Sequence, residues 1–206
     1  MTVKLDKRLS FCLSLVEGET LCDVGTDHGK LPVAALLRGR VKSAIAIDVS
    51  EKSLAKAKNL AESVGVPLRC LAGDGLNPLR GERIDVCVIA GMGGREIVKI
   101  LSEASCEVKS FVLVPHTDAP LVRAYLKERN FGIVRDAIVS ESGKFYPVIK
   151  VDPSLPWNEE HNLFFGEGDP DGAAYKKARL MKIRKILSVR DDPALREEEE
   201  ILKCEP

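Results

Sequence analysis

TLCDVGTDHGKLP, residues 20–32, is the stretch that decides the fold. Thr20 to Val24 is a short apolar run of strand character, Gly25 and Gly29 bracket three polar residues, and an apolar helical pattern follows from Leu31 to Arg38. Strand, glycine loop and helix make the first β–α unit of a doubly wound sheet, where a ligand sits beyond the carboxyl end of the strand. The glycines let backbone approach that ligand closely, and the helix presents its free N–H groups. The loop is not GxGxxG. Its third glycine is absent, and Asp27 and His28 fill its centre. A carboxylate there opposes a pyrophosphate and favours a cationic group such as a sulfonium or an ammonium.

Outward from this unit the pattern repeats. Leu5, Leu9, Cys12, Leu13 and Val16 define an amphipathic helix before it. Strands follow at 44–48, 67–71, 84–90 and 110–115, with helices at 51–64, 95–102 and 120–129 between them. The run at 84–90 is continuously apolar, as in the centre of a parallel sheet. Then the period changes: residues 131–151 read as two strands joined by a turn at Glu141–Lys144. The fold class is α/β, a Rossmann-like, doubly wound and mostly parallel sheet ending in an antiparallel hairpin.

The prolines of DPSLPW (152–157) divide the chain into a main domain, 1–152, and a helical C-terminal extension, 153–206. GEGDPDG (166–172) is a breaker-rich linker within the extension. Residues 173–190 hold seven Lys or Arg and no carboxylate, whereas 191–206 hold seven Asp or Glu against Arg196 and Lys203. The basic run, with Lys176, Lys177 and Arg179, is able to track phosphates. It is equally able to pair with Glu197–Glu200 in a helical hairpin. Lys7 and Arg8 on the first helix are further phosphate candidates.

The 206 residues, 45% hydrophobic and 30% charged, suit a chain with a real core. With 31 basic and 31 acidic residues, net charge announces no polyanionic partner. The six cysteines form no CxxC pair and no zinc spacing, so no metal is expected. MTVKLDKRLS does not read as a signal peptide, and no apolar run approaches the ~20 residues of a membrane helix. The expectation is a cytoplasmic protein with reduced thiols, a monomer or weak homodimer without a membrane partner.

Two further acids stand at strand ends. Asp48 closes the second strand, where a carboxylate accepts both ribose hydroxyls of an adenosine. Asp74, within Gly73-Asp74-Gly75, is placed to accept an adenine amino group. The fourth strand runs into Ala90-Gly91-Met92-Gly93-Gly94, whose bare backbone suits a flat substrate held close. Taken singly, each acid also reads as a cap or turn former.

LDKRL (5–9), DVGTDHGKLP (23–32), GDGL (73–76), IAGMGG (89–94) and GKFYPVIKV (143–151) together resemble the bacterial tRNA (adenine-22-N1)-methyltransferase family over nearly all of the first 151 residues. The resemblance implies S-adenosyl-L-methionine as cofactor, tRNA as partner, and methyl transfer to N1 of adenine 22. It implies that Asp23, Gly25, Thr26 and His28 line the methionine end of the cofactor, with Ala90 on the same wall. Asp48 and Val49 would hold the ribose, and Gly73, Asp74 and Gly75 would meet the adenine. Asp27, Gly91, Met92 and Gly93 would carry catalysis, with Gly94 and His116 toward the substrate. The family commonly has Glu at the position of Asp48 and a QPN-like segment where this chain has Val114-Pro115-His116. Two alternatives stay open: the same fold acting on another RNA or a small molecule, and an RNA-binding protein with a non-catalytic pocket. A dinucleotide-dependent oxidoreductase would share Asp48 but wants the missing glycine.

Overall fold

The computed structural model describes residues 2–166 and 170–204, so the centre of the linker read at 166–172 lies outside the described residues. The elements run α1 (Lys7–Ser14), β1 (Thr20–Val24), α2 (Lys30–Leu37), β2 (Ser43–Asp48), α3 (Glu51–Val64), β3 (Leu68–Ala72), β4 (Arg83–Met92), α4 (Gly94–Ser102), β5 (Glu107–Pro115), α5 (Ala119–Glu128), β6 (Gly132–Glu141), β7 (Lys144–Asp152), α6 (Gly172–Leu187) and α7 (Pro193–Cys204). The seven strands form one sheet in the order β3-β2-β1-β4-β5-β7-β6. β1 to β5 pair in parallel, and β7 enters antiparallel between β5 and β6. This is the expected α/β architecture, with the winding reversing between β1 and β4.

Side-chain alternation along the strands explains the two layers. Leu21, Val86, Val88 and Val112 point to the face covered by α1, α2 and α3, where Leu13, Leu31 and Ala61 meet them. Cys22, Cys87, Ile89 and Leu113 point the other way, against Ile97 of α4 and Val122 and Leu126 of α5. Burying such side chains contributes about 1.5–3 kcal/mol each, which fixes the strand register because a one-residue slip would reverse the faces.

β5 begins at Glu107, three residues before the strand read at 110–115, and two further differences have a visible local cause. α1 is shorter than 5–16 because Asp6 caps it, its carboxylate accepting from the Leu9 N–H at 2.6 Å. β4 does not stop at Ala90. Gly91 takes φ +113° and absorbs a register shift between Ala90 and Met92, so the strand runs on to Met92 opposite Pro115.

The extension packs against the hairpin end of the sheet, where Ile138 of β6 meets Phe165, Ile183 and Leu202. Arg123 and Asp136 fasten it from within: a two-pronged ion pair at 2.6 and 2.8 Å, both side chains about 1% exposed. The same guanidinium donates to the Leu163 carbonyl at 3.2 Å. Among the described residues no helix is long and apolar enough to cross a membrane.

Candidate functional site

Backbone hydrogen bonds gather the loops at the carboxyl ends of the strands. The Gly25 and Thr26 N–H groups donate to Ile47 O at 2.9 and 3.2 Å, and the Gly73 N–H donates to Asp48 O at 3.2 Å. The His116 N–H donates to Met92 O at 2.9 Å. Gly25 sits at φ +73°, and a Cβ there would run into the Met92 methyl. Residues 23–29 and 89–94, far apart in sequence, are therefore in contact. A cavity of about 190 Å³ opens between them, lined by Asp6, Arg8, Asp23, Asp27, Lys30 and Ala90 among others.

Asp23 is the buried acid of this cavity, 6% exposed. Burial pushes its carboxyl up to about 7; the Thr26 hydroxyl, donating at 2.5 Å, and the Arg8 charge pull the other way, while Asp48 adds to the rise.

Asp27 is exposed and opens a single tight turn, Asp27–Gly29. His28 adopts φ +68°, and its Nε2 lies 2.7 Å from Lys56 Nζ and 3.3 Å from Asp27 Oδ1. The imidazole thus links the loop to α3. Asp48 Oδ1 accepts from the Ser50 N–H at 2.8 Å, ordering the turn in which Val49 stands exposed. Asp74 sits on the surface, paired with Lys99 at 2.8 Å, and Gly75 beside it is buried against Ile100. Gly91 is exposed, whereas Gly94 is buried: a Cβ there would meet the Thr117 and Asp118 backbone within 2.9 Å. Gly94 thus lets α4 start against the β5–α5 loop that carries His116, and its N–H donates to Thr117 O at 2.9 Å.

The structure separates the cationic candidates. Arg8 is 17% exposed and faces the cavity rather than solvent. Its Nη1 lies 3.4 Å from His116 Nε2, and its guanidinium stands 5.3 Å from the centre of the Tyr146 ring. Lys7 pairs with Asp171 at 2.8 Å. Lys177 is exposed, and Lys176 lies 4.7 Å over the Phe165 ring. Arg179 is held by Glu198 through bonds of 2.6 and 2.7 Å, and Arg184 pairs with Glu199 at 2.8 Å. Of the two readings of the basic run, the helical hairpin is the one that forms, and Arg179 is engaged inside it.

Sequence reasoning passed over Tyr146, and it placed Arg8 on the surface. The helical period carried a signal for Arg8, because it lies one turn before the buried Cys12. Tyr146 had none beyond being an aromatic residue in a hairpin strand. Its ring lies 5.2 Å from that of His116, a proximity created only by β7 lying next to β5.

A family model for a methyltransferase domain matches residues 5–149. A tRNA (adenine(22)-N(1))-methyltransferase of Bacillus subtilis is 30% identical over 153 residues, which span 71% of this chain and 64% of that protein's length. The structure of Streptococcus pneumoniae Sp1610 in complex with S-adenosyl-L-methionine superposes with a TM-score of 0.85 at 29% identity, covering 97% of this chain and 98% of the other. The B. subtilis M1A22 tRNA methyltransferase TrmK shares the fold at a TM-score of 0.78 and 24% identity, over 98% and 95% of the two chains.

Proposed function

The chain belongs to the methyltransferase-domain family, and from that membership we propose that it transfers a methyl group from S-adenosyl-L-methionine to N1 of adenine 22 in transfer RNA. The observation that carries the proposal is the cavity at the β1 and β4 ends. Its acids, Asp6, Asp23 and Asp27, suit an α-ammonium and a sulfonium, and its cations, Arg8 and Lys30, suit a carboxylate. The Gly91–Gly93 segment follows Ala90 of the cavity wall, and the Met92 methyl packs against Gly25. This donor set fits the amino-acid end of the cofactor. The names of the Bacillus subtilis relative and of the cofactor-bound Streptococcus pneumoniae structure support the reading.

Asp23, with Gly25, Thr26 and His28 around it, holds the ammonium end, and Ala90 closes that wall. Asp48 and Val49 receive the ribose. Gly73, Asp74 and Gly75 receive the adenine, for which Asp74 gives up an exposed, solvent-screened ion pair with Lys99. The cofactor supplies an electrophilic methyl on a sulfonium. Adenine N1 carries an in-plane lone pair, so no base has to remove a proton before attack. The residues contribute position and exclusion of water. Asp27 faces the positive charge that develops on the base, or accepts its amino proton. N1 lies on the Watson–Crick edge, so the base enters unpaired or flipped, between Gly91–Gly94 and His116. Lys7, Lys176 and Lys177 remain the candidates for phosphate contact. The protein acts in the cytoplasm as a monomer or weak homodimer, with residues 1–152 as catalytic domain and 153–206 as an RNA-facing extension.

Titration with S-adenosylhomocysteine and with NADH tests the cofactor assignment: binding of the first and not the second is expected, and the reverse overturns it. Asp27→Ala is expected to lose about 10²–10⁴ in turnover on tRNA, well beyond any loss of S-adenosylhomocysteine affinity. Unchanged turnover removes Asp27 from the mechanism.

A further inference from the structure

A second hollow, about 730 Å³, runs between the β5–α5 loop, the tip of the β6–β7 hairpin and α6. Its lining mixes ring faces (His116, Phe145, Tyr146 and Tyr175) with three cations, Lys144, Arg179 and Lys182, against two acids, Asp118 and Glu198. Glu198 spends both carboxylate oxygens on Arg179. Lys144 and Lys182 are exposed. Aromatic faces bounded by cations are the composition that holds single-stranded nucleic acid, because bases stack while lysines meet phosphates.

Three side chains meet at its inner end. Tyr146 and His116 stand ring to ring at 5.2 Å and 57°, with the Arg8 guanidinium behind both. Arg8 can only donate, so His116 Nε2 accepts and the ring carries its proton on Nδ1. Partial burial, then the Arg8 charge and then that of Lys144, hold the imidazole below its usual range. His116 is also bonded to Met92 through its N–H, and its ring edge approaches Gly91. The tilted ring pair therefore begins where the bare Gly91–Gly93 edge ends, and Arg8, which lines the smaller cavity, reaches both rings from that side.

We propose that Tyr146 and His116, backed by Arg8, form a stacking platform for the unpaired RNA beside the methylated nucleotide, and that Lys144 and Lys182 guide its backbone along the groove. This rests on the reading that the acceptor is an RNA. An acidic peptide would satisfy the lysines but would leave the ring faces unused.

The test uses the full chain and a fluorescently labelled single-stranded 12-mer RNA, followed by anisotropy at fixed salt. The wild-type protein binds it. Tyr146→Ala weakens binding about ten- to a hundredfold, the range a lost base stack gives. Tyr146→Phe restores it to within about threefold, because the ring and not the hydroxyl carries the stack. Lys182→Glu, on the exposed face of α6, weakens binding and flattens its salt dependence. S-adenosylhomocysteine affinity stays at the wild-type value in Tyr146→Ala and Lys182→Glu, which also reports that both are folded. Absence of RNA binding by the wild type, wild-type affinity in both Tyr146→Ala and Lys182→Glu, or displacement by poly-glutamate without competition by unlabelled RNA would each overturn the platform. Methyl transfer separates the two readings. A protein that binds RNA through Tyr146 but never methylates tRNA defeats the acceptor assignment alone. One that methylates tRNA with Tyr146→Ala at unchanged KM defeats the platform alone.

Discussion

Asp23→Asn should stabilise the ligand-free protein while abolishing its grip on the cofactor. Burial raises the Asp23 carboxyl from 3.8 to about 7, so the folded state prefers it protonated while the unfolded chain ionises it near its ordinary value. Stability therefore falls as pH rises from about 4 to 7, and the whole cost is present above 7. At ~1.4 kcal/mol per decade the displacement amounts to about 4 kcal/mol, an upper figure because water and neighbouring groups relax around a buried charge. Asn keeps an oxygen for the Thr26 hydroxyl and never ionises. Its advantage over the wild type should grow by about 2–3 kcal/mol between pH 5 and pH 8, a Tm difference widening by about 5–10 °C for a chain of this size. Paired thermal unfolding curves at the two pH values, at constant ionic strength, give the answer. A difference that is flat with pH, or that runs against Asn as pH rises, refutes the argument. So does Asp23→Asn binding S-adenosylhomocysteine as tightly as the wild type.

Three further outcomes follow from the same geometry. Because an ammonium bound beside Asp23 favours the ionised carboxyl, S-adenosylhomocysteine binding at pH 6 should release up to about one proton, seen as a binding enthalpy that varies with the ionisation heat of the buffer. Arg123→Leu leaves Asp136 buried without its cation and should cost about 3–5 kcal/mol in urea unfolding; a loss under about 1 kcal/mol contradicts the role given to this pair. Gly94→Ala pushes a methyl into the Thr117–Asp118 backbone, so it should cost about 1–3 kcal/mol and displace His116. RNA affinity should then fall while S-adenosylhomocysteine affinity holds, and crystal structures of the variant would show the loop moved.

The fold was legible because its signals are local and repeated. Apolar runs of five to seven residues alternate with helical periods, and the change to strand pairing at 131–151 marks the hairpin. The extra length of β4 was not legible, because three glycines in four residues read as a loop, whereas a bulge at Gly91 carries the strand on to Met92. Within the site, strand-end acids could be listed from position alone, but their environments could not. Asp23 is buried and raised, whereas Asp74 sits in solvent with Lys99, although both follow the same strand-end rule. Arg179 looked available until α7 folded back and delivered Glu198 to it. Arg8, His116 and Tyr146 meet only through the insertion of β7 beside β5, a long-range pairing that no sequence window contains.

The proposed methyl transfer ends on one nitrogen of one base. The most direct measurement offers labelled S-adenosyl-L-methionine to two transfer RNA transcripts that differ only in carrying adenine or guanine at position 22, and locates the product by primer extension, which halts at an N1-methylated adenine. Label incorporation and a halt at position 22 in the adenine transcript, with neither in the guanine transcript, is the outcome this account requires. Equal labelling of both transcripts, or none in either by a protein that binds S-adenosylhomocysteine, would contradict it.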